Sequence, residues 1–144
     1  MKKHLIITIL VLALVCLVPK VGQASPRLTD QQVGVLVGFK LYPTWVRQQT
    51  EQGALVYGVV KPEDRVPAKV AGDSYLIADG DTDGPILYYQ VTANNRQVVV
   101  ESASHRNGHL VTTKLKLKQL VRQVYHTRAQ RKAVDDAVSA LRTE

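Results

Sequence analysis

Beyond its first two dozen residues this chain has no cysteine, and that absence already narrows what it can be. The single thiol, Cys16, sits inside an N-terminal apolar run, so no disulfide can staple the remainder and no thiolate is available there as a nucleophile or metal ligand. Aromatic residues are sparse, with one Trp, one Phe and six Tyr in 144 residues; Tyr42 with Trp45 is the one pair that suggests a sugar-stacking platform, and a lone tryptophan beside a helix break more often packs into the core. No apolar run reaches the length of a membrane span. The longest, Leu5 to Val18, is fourteen residues, about 21 Å as a helix against a hydrocarbon core of about 30 Å. Glycine-rich phosphate loops, a serine in a nucleophile-elbow setting and a paired acid and base are all lacking, so no catalytic signature is present and the chain reads as non-catalytic.

What is present begins with that same run. Lys2 and Lys3 precede it, Pro19 closes it, and Val21-Gly22-Gln23-Ala24 places small residues at the two positions that signal peptidase recognises. Residues 1–24 therefore read as a signal peptide. Residues 25–144 read as one extracytoplasmic domain of 120 residues (144 minus 24), secreted or held at the cell surface, with no stable membrane span after cleavage. Ala13-Leu14-Val15 before Cys16 lacks the small residue that precedes a lipid-modified cysteine, which argues against a lipid anchor.

Charge is uneven along the mature part. Removing Lys2, Lys3 and Lys20 leaves 16 basic and 12 acidic residues. Ser25 to Ser104 holds seven basic and nine acidic, whereas His105 to Glu144 holds nine basic and three acidic. Outside the cytoplasm the counterpart of such a basic end is an anionic wall polymer, a headgroup or an acidic glycan, and not nucleic acid. A modest positive charge also serves solubility alone.

Thr29-Asp30-Gln31-Gln32 is a capping box opening a first helix, with Val33, Leu36 and Val37 at helical spacing; Gly34 and Gly38 weaken that helix and Tyr42-Pro43 ends it. Thr44 is placed to cap a short second helix that Gln52-Gly53 stops. The period then changes to strand, at Leu55 to Val60, Tyr75 to Ala78, Ile86 to Thr92, Val98 to Ser104 and Leu110 to Leu117. Tight turns at Asn94-Asn95 and Asn107-Gly108 predict the pairs Val91 with Val98, Tyr89 with Val100, Val100 with Leu115, Val98 with Leu117 and Glu101 with Lys114. Both registers put Leu87, Tyr89, Val91, Val98, Val100, Leu115 and Leu117 on a core face, leaving Tyr88, Gln90, Val99, Glu101, Lys114 and Lys116 on a face open to solvent. Leu117, Leu120, Val121 and Val124 continue at helical spacing, and Thr127 with Gln130 caps a last helix from Arg128 to about Leu141. The fold class is α+β: an antiparallel β-meander with one face covered by the N- and C-terminal helices.

Two groups of residues suggest binding. Asp79, Asp81 and Asp83, followed by Gly84, match the opening of a calcium loop, in which alternate carboxylates converge on a hard cation. The twelfth position is Gln90 in place of a bidentate glutamate, and turn preference alone explains an acidic hairpin. Calcium is thus the one cofactor the sequence suggests. Lys114, Lys116 and Lys118 alternate with Leu115 and Leu117, so their ammonium groups line one side of the last strand with His105 further along, a row able to follow a phosphodiester polymer. Lysines on a terminal strand equally guard against edge-to-edge pairing. His105 and His109 would point to opposite faces and make a poor metal pair.

Leu28-Thr29-Asp30-Gln31-Gln32, Tyr42-Pro43-Thr44-Trp45, the Asp79-Gly80 hairpin, and Leu120 to Leu141 with Tyr125-His126-Thr127-Arg128-Ala129-Gln130 resemble small exported single-domain proteins of lactobacilli and related Gram-positive bacteria. The resemblance implies an extracytoplasmic helix-flanked sheet and carries over no functional residue. Three functions remain in order: binding of anionic wall polymers through His105, Lys114 and Lys116; recognition of a surface protein, aided by calcium; and an envelope hydrolase.

Overall fold

The computed structural model describes residues 27–104 and 108–144, so the expected signal peptide, Cys16 and His105 lie outside the described residues. Helix α1 spans Asp30–Leu41 and starts as the sequence predicts: the Gln32 amide donates to Thr29 Oγ1 at 3.2 Å, and the Thr29 amide donates to Gln32 Oε1 at 2.8 Å. It ends before Pro43, which opens α2 (Pro43–Glu51) at its first position, so Tyr42, and not Thr44, is the N-terminal cap. Gly53, at φ +62°, closes α2. Its amide donates to the Thr50 carbonyl at 3.1 Å and that of Ala54 to the Gln49 carbonyl at 2.9 Å, the paired bonds of a Schellman ending.

Six strands follow, β1 (Leu55–Val59), β2 (Ser74–Ala78), β3 (Pro85–Val91), β4 (Gln97–Ser104), β5 (Val111–Lys116) and, at the C-terminus, β6 (Arg142–Thr143), with α3 (Leu117–Val124) and α4 (Arg128–Ala140) between the last two. Their order in the sheet is β5-β4-β3-β2-β1-β6. β1 to β5 form the antiparallel meander; β6 returns parallel to β1 and is too short to leave a sequence signal.

The β3–β4 register is the expected one, with Val91 opposite Val98 and Tyr89 opposite Val100. The β4–β5 register is not. Val98 faces Leu115, Val99 faces Lys114, Val100 faces Thr113 and Glu101 faces Thr112, a slip of two residues from the pairing a tight Asn107-Gly108 turn requires. The last pair is Ser102 with Val111, and Asn107 of the expected turn lies outside the described residues. An even slip keeps every side chain on its own face, so the core survives the error. Leu117 leaves the sheet and begins α3, so Lys118 lies on that helix and not on the strand where the alternation puts it.

All four helices lie on one side. Leu36, Val37, Val46, Leu120, Val134 and Ala137 pack against Leu76, Leu87, Tyr89, Val98 and Val100, each of them buried. The opposite face is less open than the alternation implies. The β1–β2 connection, with a single 3-10 turn at Ala68–Val70, folds over its middle and buries Val60, Val70 and Tyr88 in a second cluster edged by Val66, Tyr75, Ile86 and Leu110.

Candidate functional site

The acidic hairpin is committed to structure. Asp79 Oδ2 accepts from Arg142 Nη2 at 2.7 Å, an ion pair that ties β6 to the end of β2, and the hydrogen bond from that guanidinium holds the Asp79 carboxyl below its ordinary range. Asp81 Oδ2 accepts from Trp45 Nε1 at 2.8 Å, and its Oδ1 accepts from the Asp83 amide at 3.2 Å. Gly84 serves this contact: a Cβ there would lie 2.7 Å from Asp81 Cγ and 2.9 Å from Trp45 Nε1. Two of the three expected calcium ligands thus hold different partners. Among the described residues no group of three or more His, Cys, Asp or Glu is placed to hold a metal ion.

Two carboxylates sit under the β1–β2 connection. Glu101, 4 % exposed, pairs with Lys69 Nζ at 2.8 Å and also contacts Thr112 Oγ1, its cross-strand partner, which itself accepts from Lys69 at 2.7 Å. The register slip explains this, because it puts Thr112 where Lys114 was expected. Asp73 is buried nearby, and burial first, then the Glu101 charge, raise its carboxyl above the ordinary value. At the start of α1, Asp30 Oδ2 accepts from the Tyr57 hydroxyl at 2.8 Å and from the Ser74 hydroxyl, anchoring the helix over β1 and β2.

Lys114 and Lys116 both lie exposed on the same side of β5. They part company at the end of the strand. Lys116 lines a groove of about 1460 Å³ that does not include Lys114. The groove runs between the entry to α1, the β3–β4 hairpin, the start of α3 and the α3–α4 turn. Arg27, Arg96, Lys116, Lys118 and Arg131 stand on its walls, each exposed, with His126 beside them. Among the described residues none of these five cations is in an ion pair. Among the described residues the one acid in the lining is Asp30, which accepts from the Tyr57 and Ser74 hydroxyls. Half-buried Leu28, Val91, Leu117, Val121 and Tyr125 also line it and rest on the core behind. The Tyr125 hydroxyl donates to Asp135 Oδ1 at 3.0 Å; burial, and then that bond, raise its pKa.

Like charges crowded round an apolar trough repel one another unless an anion sits among them. The sequence held a partial signal for this, the excess of basic residues after position 105, but the five cations come from the N-terminal entry, a hairpin, a strand end and two helices. Lys116 and Lys118 belong to the alternating lysine row, but no local pattern connects them with Arg27, Arg96 and Arg131.

A helix-covered, mostly antiparallel six-stranded sheet with one basic groove is the class of domain these elements define. The chain belongs to the family described as Lreu_0056_like hypothetical protein, whose model matches residues 29–142. It is also similar to a hypothetical protein from Lactobacillus reuteri whose structure was determined by NMR: 44 % identity and a TM-score of 0.74, over 82 % of this chain and 98 % of that one. No curated protein matches.

Proposed function

We propose that this is an exported, non-catalytic domain of the cell envelope that binds anionic envelope polymers, and that the groove is where it does so. The carrying observation is the set of five cations, Arg27, Arg96, Lys116, Lys118 and Arg131, gathered on one concavity in which Asp30 is the one acid among the described residues. Phosphate groups of a wall polymer match that field, and the N-terminal apolar run with its small-residue exit delivers the domain to such polymers. Attraction between exposed charges is screened within about 8 Å at physiological salt, so strong salt dependence is the signature of this reading.

Residues 25–144 suit the test, because almost the whole of the L. reuteri relative aligns and that protein folds in solution. The domain is pelleted with Gram-positive walls, intact or stripped of teichoic acids, across a salt series, beside an Arg96→Glu, Lys118→Glu variant. Binding that falls with stripping, with salt and with the variant is the expected result. Binding indifferent to all three overturns the reading and points to a protein partner at the surface.

A further inference from the structure

The cations of the groove answer to an anion, and its apolar side chains answer to something else. Leu28, Val91, Leu117 and Val121 are half-buried, pack against the core and line the same groove as the cations. A hydrated polyanion alone would leave water lying on these side chains, and a neutral lipid would leave the cations without partners. The volume, about 1460 Å³, exceeds the roughly 300–1000 Å³ usual for a compact small ligand, so a head and an extended chain both have room.

From exposed cations and half-buried apolar side chains lining one groove, we propose that it binds an anionic amphiphile, its phosphate-type headgroup among Arg27, Arg96, Lys116 and Lys118 and its alkyl chain along Leu28, Val91, Leu117 and Val121. This rests on the groove being the functional site and specifies its ligand as the lipid-linked end of an anionic envelope polymer. Each methylene buried against these side chains is worth up to about fourfold in affinity (about 0.8 kcal/mol).

Titration calorimetry of residues 25–144 with inorganic phosphate, butyl phosphate, octyl phosphate below its micellar concentration and soluble poly(glycerol phosphate) tests the proposal, with octyltrimethylammonium as a cationic control. Octyl phosphate is expected to bind at least about tenfold more tightly than butyl phosphate, allowing for chains only partly covered. The Arg96→Glu, Lys118→Glu variant should weaken it at least fivefold, and amide shifts on binding should fall at Val91, Leu117 and Val121 and spare Val60 and Tyr88. Val121→Asn should flatten the chain-length dependence; because it could also disturb folding, the series on the unaltered protein decides by itself. Equal affinity for butyl and octyl phosphate, with poly(glycerol phosphate) bound, overturns the amphiphile and leaves polymer binding intact. Equal binding of the cationic amphiphile overturns it too. No binding of any phosphate overturns this proposal together with the polymer reading.

Discussion

Gly34 lies directly beneath the ring of Tyr89: a Cβ at position 34 would sit 2.6 Å from Cζ and 2.8 Å from Cε1. The Tyr89 hydroxyl passes over this gap to donate to the Asp30 carbonyl at 2.9 Å, locking β3 to the first turn of α1. Burial raises the phenol's pKa, so it remains a neutral donor at any ordinary pH. A glycine that weakens the helix as a sequence is therefore what lets the helix touch the sheet. Gly34→Ala should gain about 1 kcal/mol of helix propensity yet lose about 1–3 kcal/mol to overpacking against a ring that cannot retreat, a net loss read as a lower urea midpoint. Tyr89→Leu in the same chain should make the alanine harmless or favourable. A stabilised Gly34→Ala single variant would show that the ring is free to move.

Trp45 is the chain's one tryptophan, and its indole N–H is held by Asp81. Asp81→Ala should shift its emission and cost about 1–2 kcal/mol, a hydrogen bond to a charged group that is only part-buried; Asp81→Asn, which keeps an acceptor, should cost less. The same fluorescence reports on calcium, since an ion at Asp81 would change the charge on the carboxylate that holds the indole. Emission unchanged through millimolar calcium is expected; a saturable shift that Asp79→Asn abolishes would restore the calcium loop.

How much of this was legible in the residues depends on the distance over which each feature is encoded. Both capping boxes are four-residue signals, and both are made, Gln130 accepting from the Thr127 amide at 3.0 Å as Gln32 does from Thr29. The β3–β4 register follows from a hairpin of known reach, with Asn95 at φ 53°. The β4–β5 register differs by two residues from the one a two-residue Asn107-Gly108 turn predicts, and Asn107 lies outside the described residues. Lys69 meeting Glu101 and Arg142 meeting Asp79 join residues whose partnership depends on which strands are neighbours. The groove is the extreme case, since Arg27, Arg96 and Arg131 share no element. Residue type gave the charge; only topology gave its place.

Asp73 supplies a pH test with a definite sign. Its carboxyl is raised in the folded state by burial and by the Glu101 charge, so the fold binds that proton more readily than the unfolded chain does. Its contribution is most favourable below the unfolded value, about 3.9, and is lost as pH rises through the folded value, leaving a cost at neutral pH. Asp73→Asn should therefore stabilise the domain at pH 7, and the gain should shrink as pH is lowered towards 4, as measured by urea unfolding at each pH. A gain independent of pH would mean that the carboxylate's charge is not what the fold resists.

Lys114 and Lys116 separate the groove from the sheet face as the binding surface. They are two residues apart on one side of β5, Lys114 opposite Val99 and Lys116 opposite Gln97, and only Lys116 lines the groove. Changing either to glutamate alters the net charge equally, so long-range attraction to a polyanion changes alike in both variants. Any difference between them is local. Lys116→Glu should weaken wall binding about fivefold at physiological salt, near the 1 kcal/mol upper end for an exposed charge contact, whereas Lys114→Glu should stay within about twofold once corrected for the shared effect. Both variants should melt at the same temperature, because neither ammonium group is in an ion pair among the described residues. Equal losses would put the polymer on the open sheet face along β5. A larger loss for Lys114→Glu would exclude the groove altogether, since nothing in its lining would then explain why the more distant lysine matters more.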